Sequence, residues 1–428
     1  MLDQSIFDVV VIGSGPGGLA AAIAAKREGA EKVLIIERDR EPGGILLQCI
    51  HNGFGVEIFK EDLPGPGYAQ RFIDEAKGLG VQILLNTMVM DLGADRRIWL
   101  SSVEHGYAQI EAKAVVLAMG CRERTRPQIR IPGYRPNGIF TAGTAQRWVN
   151  VEGFMPGKEV VILGSGDIGM IMARRLTYEG AHVERVLEIQ NYLSGLSRNF
   201  VQCLQDNNIP LQLSHTIKRV LGKNRVEAVE TVQVDERWRM VAGTEELIPC
   251  DTLLLSIGLI PENELSKRAG VKIDPVTSGP VVDDQFQTNV PGIFAAGNVV
   301  HVYDLVDWVT EAGFVAGKGA ARFAAGQLKA EDAHIKVDAG PNVRYVVPQT
   351  LNKETLKTTE VRLQMRVTRP LEEPVYVEVH DGHSQITRKL ERYARPGEMV
   401  TIPLKPAHYE AVHRAEKLTV QVTPKAEA

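Results

Sequence analysis

Apolar and polar positions along the chain fall into a pattern that is written twice. Phe7 to Ile12 is dominated by β-branched residues and predicts a strand; Gly13 to Gly18 interrupts it, Leu19 to Gly29 is Ala-rich and predicts a helix, and Lys32 to Ile36 returns to strand. A strand that is apolar on both faces is what a parallel sheet covered on both sides requires. The same order recurs as strand Glu159 to Leu163, glycine turn Gly164 to Gly169, helix Met170 to Glu179 and strand His182 to Leu187. In both copies an acid stands 24 residues after the first glycine, Glu37 after Gly13 and Glu188 after Gly164. Such an internal repeat predicts two nucleotide-sized units in one chain.

Further apolar strands ending at glycine are predicted over Ala114 to Gly120 and Asp251 to Gly258, and a third apolar segment spans Thr288 to Val300. A helix should follow from about Asp304 through Ala325. After the Gly326 to Gly340 connection the character of the chain changes. Arg344 to Pro348, Glu360 to Val367, Val375 to His380, Gln385 to Leu390, Met399 to Leu404 and Leu418 to Val422 are β-rich runs between Pro, Gly and charged turns. They predict a small all-β domain, a sandwich or a barrel.

At 428 residues, 44% hydrophobic and 24% charged, the chain has ordinary globular composition. Lys and Arg total 49 against 53 Asp and Glu, a net charge of −4 without like-charge runs, which argues against nucleic acid and against a polybasic membrane signal. No apolar run reaches the roughly 20 residues of a transmembrane helix. The four cysteines, Cys49, Cys121, Cys203 and Cys250, are too scattered for a CxxC pair or a metal spacing, so no metal site is expected and a reducing compartment is. Val9 to Ala25 carries no acidic or basic residue, but its glycines and the preceding Asp3 and Asp8 do not suit a secretory leader; a cytoplasmic protein is expected.

In the first turn Gly13 permits the tight exit from the strand, Gly15 lets backbone approach a pyrophosphate, and Gly18 lets helix and strand pack closely. Helix N-terminal N–H groups then favour the negative charge. Glu37 falls where an acid can accept hydrogen bonds from a ribose diol. Gly164, Gly166, Gly169 and Glu188 repeat the arrangement. A carboxylate there suits the free 2′-hydroxyl of NAD and repels the 2′-phosphate of NADP, with Arg185 the neighbouring group that could soften the preference. A second unit that keeps its shape without a ligand is the competing reading.

With these residues in hand, the stretch from about 5 to 330 resembles the flavoprotein oxidoreductases with two dinucleotide-binding domains, the superfamily of glutathione and thioredoxin reductases. The resemblance rests on Gly13 to Gly18 with Glu37, Gly43-Gly44, Val89, Leu117 to Gly120, Gly258 with Pro261, and Thr288 through Gly297-Asn298. It implies an α/β fold of two Rossmann-like FAD/NAD(P)-binding domains, the second inserted in the first: 1–150 with 259–330 for FAD, 151–258 for NAD(P), and a β-rich C-terminal domain over 339–428. It also implies that FAD meets Gly44, Val89 (backbone to adenine), Gly120, Gly258, Gly297 and Asn298 as well as the first turn, and that NAD(H) meets the second.

The chain departs from the disulfide-using members. Positions two and seven residues after the Gly-Gly pair hold Leu46 and His51, no CxxC lies in the nicotinamide domain, and the usual Gly-Asp at the ribityl chain is Gly297-Asn298. The finer resemblance, over Gly43 to Gly55, Gly164 to Arg175 and Gly297 to Asp307, is to the flavoprotein subunits of opine oxidase, hydrogen cyanide synthase and the oxidoreductase accompanying anaerobic glycerol-3-phosphate dehydrogenase. It implies hydride or electron transfer through FAD without a redox disulfide, in an oligomer beside a second flavoprotein dehydrogenase or an iron–sulfur protein. Two other readings are a non-catalytic FAD-holding scaffold and a stand-alone NADH oxidase or peroxidase using Cys49. His51 and Cys49 are the candidate catalytic residues; a backbone-bonded loop histidine and a small buried thiol are their plainer alternatives.

Overall fold

The structure, a computed structural model, describes residues 5–328 and 334–427; Asp3 and the centre of the 326–340 connection lie outside them. The chain forms two compact units, Met1–Cys121 with Pro261–Ala428, and Arg122–Ile260. The second is therefore inserted in the first. The sequence division at 150 differs from the observed one: strand Ile139–Thr141 pairs in parallel with Thr252–Leu255 and so forms an edge of the inserted unit's sheet.

In the first unit a seven-stranded sheet runs in the order Gln82–Leu84, Val33–Ile36, Ile6–Ile12, Gly106–Leu117, Arg97–Ser102 and Thr87–Leu92, with Ile293–Ala295 also paired to Gly106–Leu117. Strand Gly106–Leu117 serves two arrangements. Its first half pairs antiparallel with Arg97–Ser102 and its second half parallel with Ile6–Ile12. The centres of the parallel strands are buried, with Val9, Val10, Val11, Ile35, Val115 and Val116 wholly inaccessible, as the apolar pattern required.

Helix α1 (Pro16–Arg27), helix α2 (Gly65–Gly78), helix α3 (Asp167–Tyr178) and helix α4 (Val306–Ala324) are the long helices that position the sites. Small residues let α1 and α4 touch backbone to backbone. A Cβ on Gly313 would lie 2.3 Å from the Gly17 oxygen, and one on Gly317 would lie 2.0 Å from the Ala21 oxygen. Because a step of four along one helix matches a step of four along the other, the two run parallel. Helix α4 begins seven residues before Gly313, whereas α1 begins one residue before Gly17. Their N-termini thus face the same end, with α4 projecting about 9 Å further at 1.5 Å per residue.

The inserted unit carries a five-stranded parallel sheet, Ile139–Thr141, Thr252–Leu255, Glu159–Leu163, His182–Glu188 and Leu211–Leu213, beside a three-stranded antiparallel sheet. The C-terminal residues of the first unit form two sheets around one core. Five strands, including Val375–His380 and Lys417–Pro424, make one sheet, and Val343–Val347, Val361–Val367 and Val400–Leu404 make the other. Burial alternates along Lys417–Pro424, the pattern of a strand with one face inward. Of the two β architectures expected from the sequence, this is the sandwich.

Candidate functional site

The first glycine turn links Ile6–Ile12 to α1 at the C-terminal edge of the sheet, where open α/β sheets place their ligands. Gly13 has φ +102°, and a Cβ there would stand 2.5 Å from the Ala118 oxygen; one on Gly18 would stand 1.9 Å from the Gly13 oxygen. These two glycines are required by packing. Gly15 differs, because a Cβ built on it meets nothing within 4 Å among the described residues. It is the N-cap of α1, so the open space lies at a helix end whose N–H groups favour an anion. Gly44 closes over it, with its Cβ position 2.9 Å from the Gly15 Cα, and Gly43 N donates to Ser14 O at 3.0 Å.

Glu37 is 6% exposed and tied to this turn. Its Oε2 accepts hydrogen bonds from Ser14 N (2.9 Å) and Ser14 Oγ (2.6 Å), and its Oε1 from Asp39 N (2.8 Å). With about four lone-pair directions on a carboxylate, the chain itself uses three, leaving about one for a ribose hydroxyl. Spacing alone marks Glu37 as a ligand group and does not reveal this structural partner. Ser14 follows the first glycine and Ser165 occupies the matching place, a coincidence visible in the sequence. Thr87 N donates to Glu37 O (3.0 Å), so strand Thr87–Leu92 starts beside the acid, with Val89 two residues along and buried.

About 9 Å beyond α1 along the shared helix direction, the first turn of α4 is held by polar contacts that run from the buried Tyr68 to the exposed Glu57. Tyr68 of α2 shares a hydrogen bond with Thr310 (2.8 Å), Asp307 Oδ2 accepts Glu57 N (3.3 Å), and Trp308 Nε1 donates to Glu57 Oε2 (2.8 Å). Asp307 is 2% exposed, and its Oδ1 has no hydrogen-bond partner among the described residues. Its carboxylate takes a share of the positive field at this helix end. Leading into α4, Asn298 uses Oδ1 to accept Tyr303 N (3.0 Å), which leaves its Nδ2 as the group able to meet a ribityl hydroxyl. Gly297 and Gly120 both have positive φ, and the Gly120 oxygen accepts Glu262 N at 3.0 Å.

The inserted unit repeats the first turn in detail. Glu188 Oε2 accepts Ser165 N (2.9 Å) and Ser165 Oγ (2.7 Å), and Oε1 accepts Gln190 N (2.9 Å). A Cβ on Gly164 would stand 2.0 Å from the Ser256 oxygen, and one on Gly169 2.6 Å from the Gly164 oxygen, whereas Gly166 meets only Ser256 atoms at 3.4 Å or more. Two features differ from expectation. Asp167 opens α3 with its carboxylate, accepting Leu196 N (2.9 Å) and Asn199 Nδ2 (2.7 Å), so this helix end offers an anion a weaker field than α1 does. Arg185 is paired with Glu246 (2.8 Å) and bonded to Gln212 (3.1 Å), so its charge is already matched. Gly258, φ +95°, accepts Arg124 N through its carbonyl at 3.0 Å.

The two candidate catalytic residues sit in the loop after Gly44. Burial pushes the Cys49 thiol up to about 12, and its Sγ lies 3.3 Å from the Ile45 oxygen. A reactive cysteine needs the opposite, an accessible thiolate near positive charge, so the peroxidase-type role for Cys49 does not fit its surroundings. His51 is half-buried, its Nδ1 2.9 Å from the Asn52 oxygen and its ring 5.0 Å from that of Phe54. Away from these sites Glu159, His182 and Glu184 bring ligand atoms within 4.8 Å at the inserted sheet's surface, a juxtaposition that sequence spacing did not reveal.

Residues 7–314 match the family profile described as pyridine nucleotide-disulphide oxidoreductase, and the chain belongs to that family of FAD- and NAD(P)-dependent oxidoreductases. It is similar to an opine oxidase subunit of Agrobacterium tumefaciens (strain Ach5), 27% identical over 313 residues, covering 69% of this chain and 61% of that protein. The chain thus spans about three fifths of that relative's length. It is also similar to thioredoxin reductase of Listeria innocua serovar 6a, 24% identical over 303 residues, covering 69% of this chain and 87% of that one. Among solved structures, thioredoxin reductase of T. acidophilum matches with a TM-score of 0.61 at 23% identity, covering 75% of this chain and all of the other, a likeness of fold. No helix among the described residues is long and apolar enough to cross a membrane.

Proposed function

We propose that the chain holds FAD on its first unit and uses NADH through its inserted unit, passing hydride or electrons to or from a partner protein without a redox disulfide. The observation that carries the reading is the pair of parallel helix N-termini: the open Gly15 end of α1, and the α4 end about 9 Å further along, a spacing suited to a pyrophosphate and to the flavin edge beyond it. When bound, FAD supplies the hydride and electron chemistry that side chains lack.

The chain's own residues position and insulate. Gly15 and Gly44 admit the pyrophosphate, Glu37 reaches a ribose hydroxyl with its remaining lone pair while keeping Ser14 in place, and Asn298 offers an N–H to the ribityl chain. Gly13 and Gly18 let strand, turn and helix pack closely enough to shape the site, and Val89, Gly120 and Gly297 give the backbone path around the cofactor. In the inserted unit Gly164, Gly166 and Gly169 shape the turn, Gly258 closes the strand end, and Glu188 selects NADH. The matched charge of Arg185 supports that selection. The opine oxidase relative is named as a subunit, which supports a partner protein; a second flavoprotein or an iron–sulfur protein as that partner, and a cytoplasmic setting, belong to the same proposal.

Anaerobic mixing of the FAD-loaded protein with NADH tests the reading. Loss of visible flavin absorbance, faster with NADH than with NADPH, is the expected result. An FAD-loaded protein with an unchanged spectrum would favour the scaffold alternative.

A further inference from the structure

The C-terminal sandwich grips the segment that joins Asn298 to α4. Asp304, the residue before the α4 N-cap, is 9% exposed at its side chain and ion-paired with Arg366 of strand Val361–Val367, itself 14% exposed. The second carboxylate oxygen of Asp304 accepts the backbone N–H of Met399 at 2.5 Å. Arg366 also donates to Val302 O (3.2 Å) and to Pro396 O (3.1 Å). His301, 1% exposed, stacks edge-on between Tyr303 (centroids 4.2 Å) and Tyr345 of the sandwich (5.7 Å). One side of segment 298–305 therefore belongs to the sandwich, while its two ends are Asn298 and the first turn of α4.

We infer that Arg366 is a positioning residue for the FAD site: through Asp304 it fixes the approach to α4, so that docking of the C-terminal sandwich and binding of FAD are coupled. The inference rests on the reading that FAD occupies this end of the first unit. A buried, multiply bonded ion pair has few alternative arrangements. Segment 298–305 spans both the amide proposed for the ribityl chain and the helix end proposed for the flavin edge. Releasing the pair lets this segment shift, and a site built from two helix ends and one amide loses its fixed geometry. By reciprocity, FAD must stabilise the docked sandwich by the same free energy.

The test uses the full-length protein stripped of and reloaded with FAD. R366M, D304N and the double variant should each bind FAD about 5- to 150-fold more weakly, with a shifted flavin midpoint potential, and the double should lose no more than the worse single. In the wild type, adding FAD should slow hydrogen exchange at the Met399 amide and along Val361–Val367, a measurement that needs no variant to fold. Unchanged affinity and potential in R366M, or exchange at Met399 indifferent to bound FAD, would overturn the inference while leaving FAD binding intact. A wild type that binds no FAD would remove the underlying reading as well.

Discussion

Gly15→Ala and Gly18→Ala separate a glycine that serves a ligand from one that serves the fold. The two lie three residues apart, at the N-cap and in the first turn of α1. A Cβ at position 18 would stand 1.9 Å from the Gly13 oxygen and 3.0 Å from its carbon, far inside van der Waals contact with backbone that has no rotamer to change. G18A should cost about 1–3 kcal/mol or more in stability. At position 15 the added methyl meets nothing within 4 Å among the described residues, and φ −67° with ψ −178° is open to alanine. The expected stability loss in G15A is only the poorer N-cap, about 0.5–1 kcal/mol, which is on the order of 1 °C in Tm at the roughly 1–2 °C per kcal/mol that applies to a unit of this size. The methyl fills the space through which a pyrophosphate would reach the helix N–H groups. Losing one such charged hydrogen bond, worth about 1.5–3 kcal/mol, weakens FAD binding about 10- to 150-fold. Thermal melts of the FAD-free variants and titration with FAD measure the two effects separately. A G15A protein with wild-type FAD affinity would refute the assignment of this helix end to the cofactor.

Other residues give shorter tests. Cys49→Ser should leave NADH-driven flavin reduction within about twofold of wild type, and Cys49 should resist iodoacetamide in the native state at pH 7, since burial holds it as a thiol; rapid native-state labelling would contradict this. Burial, together with the nearby charge of Asp283, raises the Asp284 carboxyl from 3.8 to about 6. The native state then holds the extra proton between those values, so its stability contribution is present below about pH 4 and lost as pH rises through about 6. Asp284→Asn should therefore stabilise the protein at pH 8 by up to roughly 3 kcal/mol and give no gain at pH 4; urea melts at the two pH values decide, and a pH-independent difference would count against the buried charge.

The elements that define the two units are readable in the sequence because each combines an apolar strand, a glycine turn and a small-residue helix. Strand Glu159–Leu163 falls where the pattern places it, and α4 begins within two residues of the expected start. The antiparallel strands Arg97–Ser102 and Thr87–Leu92 are not readable in that way. Their burial alternates, but in sequence each holds a run of only three apolar residues, Ile98-Trp99-Leu100 and Met88-Val89-Met90, which neither alternates nor is long enough to mark a strand buried on both faces. The placement of 122–150 escapes the sequence because strand Ile139–Thr141 has only three residues, and its partnership with Thr252–Leu255 is a long-range fact. Within the site, glycine spacing points to the turns, but not to the hydrogen bonds by which Ser14 holds Glu37 and Ser165 holds Glu188. Those bonds depend on how two segments 23 residues apart meet in space. Arg366 and Asp304 are likewise separated by 62 residues, and nothing in either local sequence marks them as a pair.

A crystal structure of the full chain with FAD bound tests the central claim most directly. The pyrophosphate is expected against the N-terminal N–H groups of α1 beside Gly15, and the flavin edge at the first turn of α4. FAD density at any other place, or those two helix ends closed over by side chains in crystals grown with saturating FAD, would contradict it.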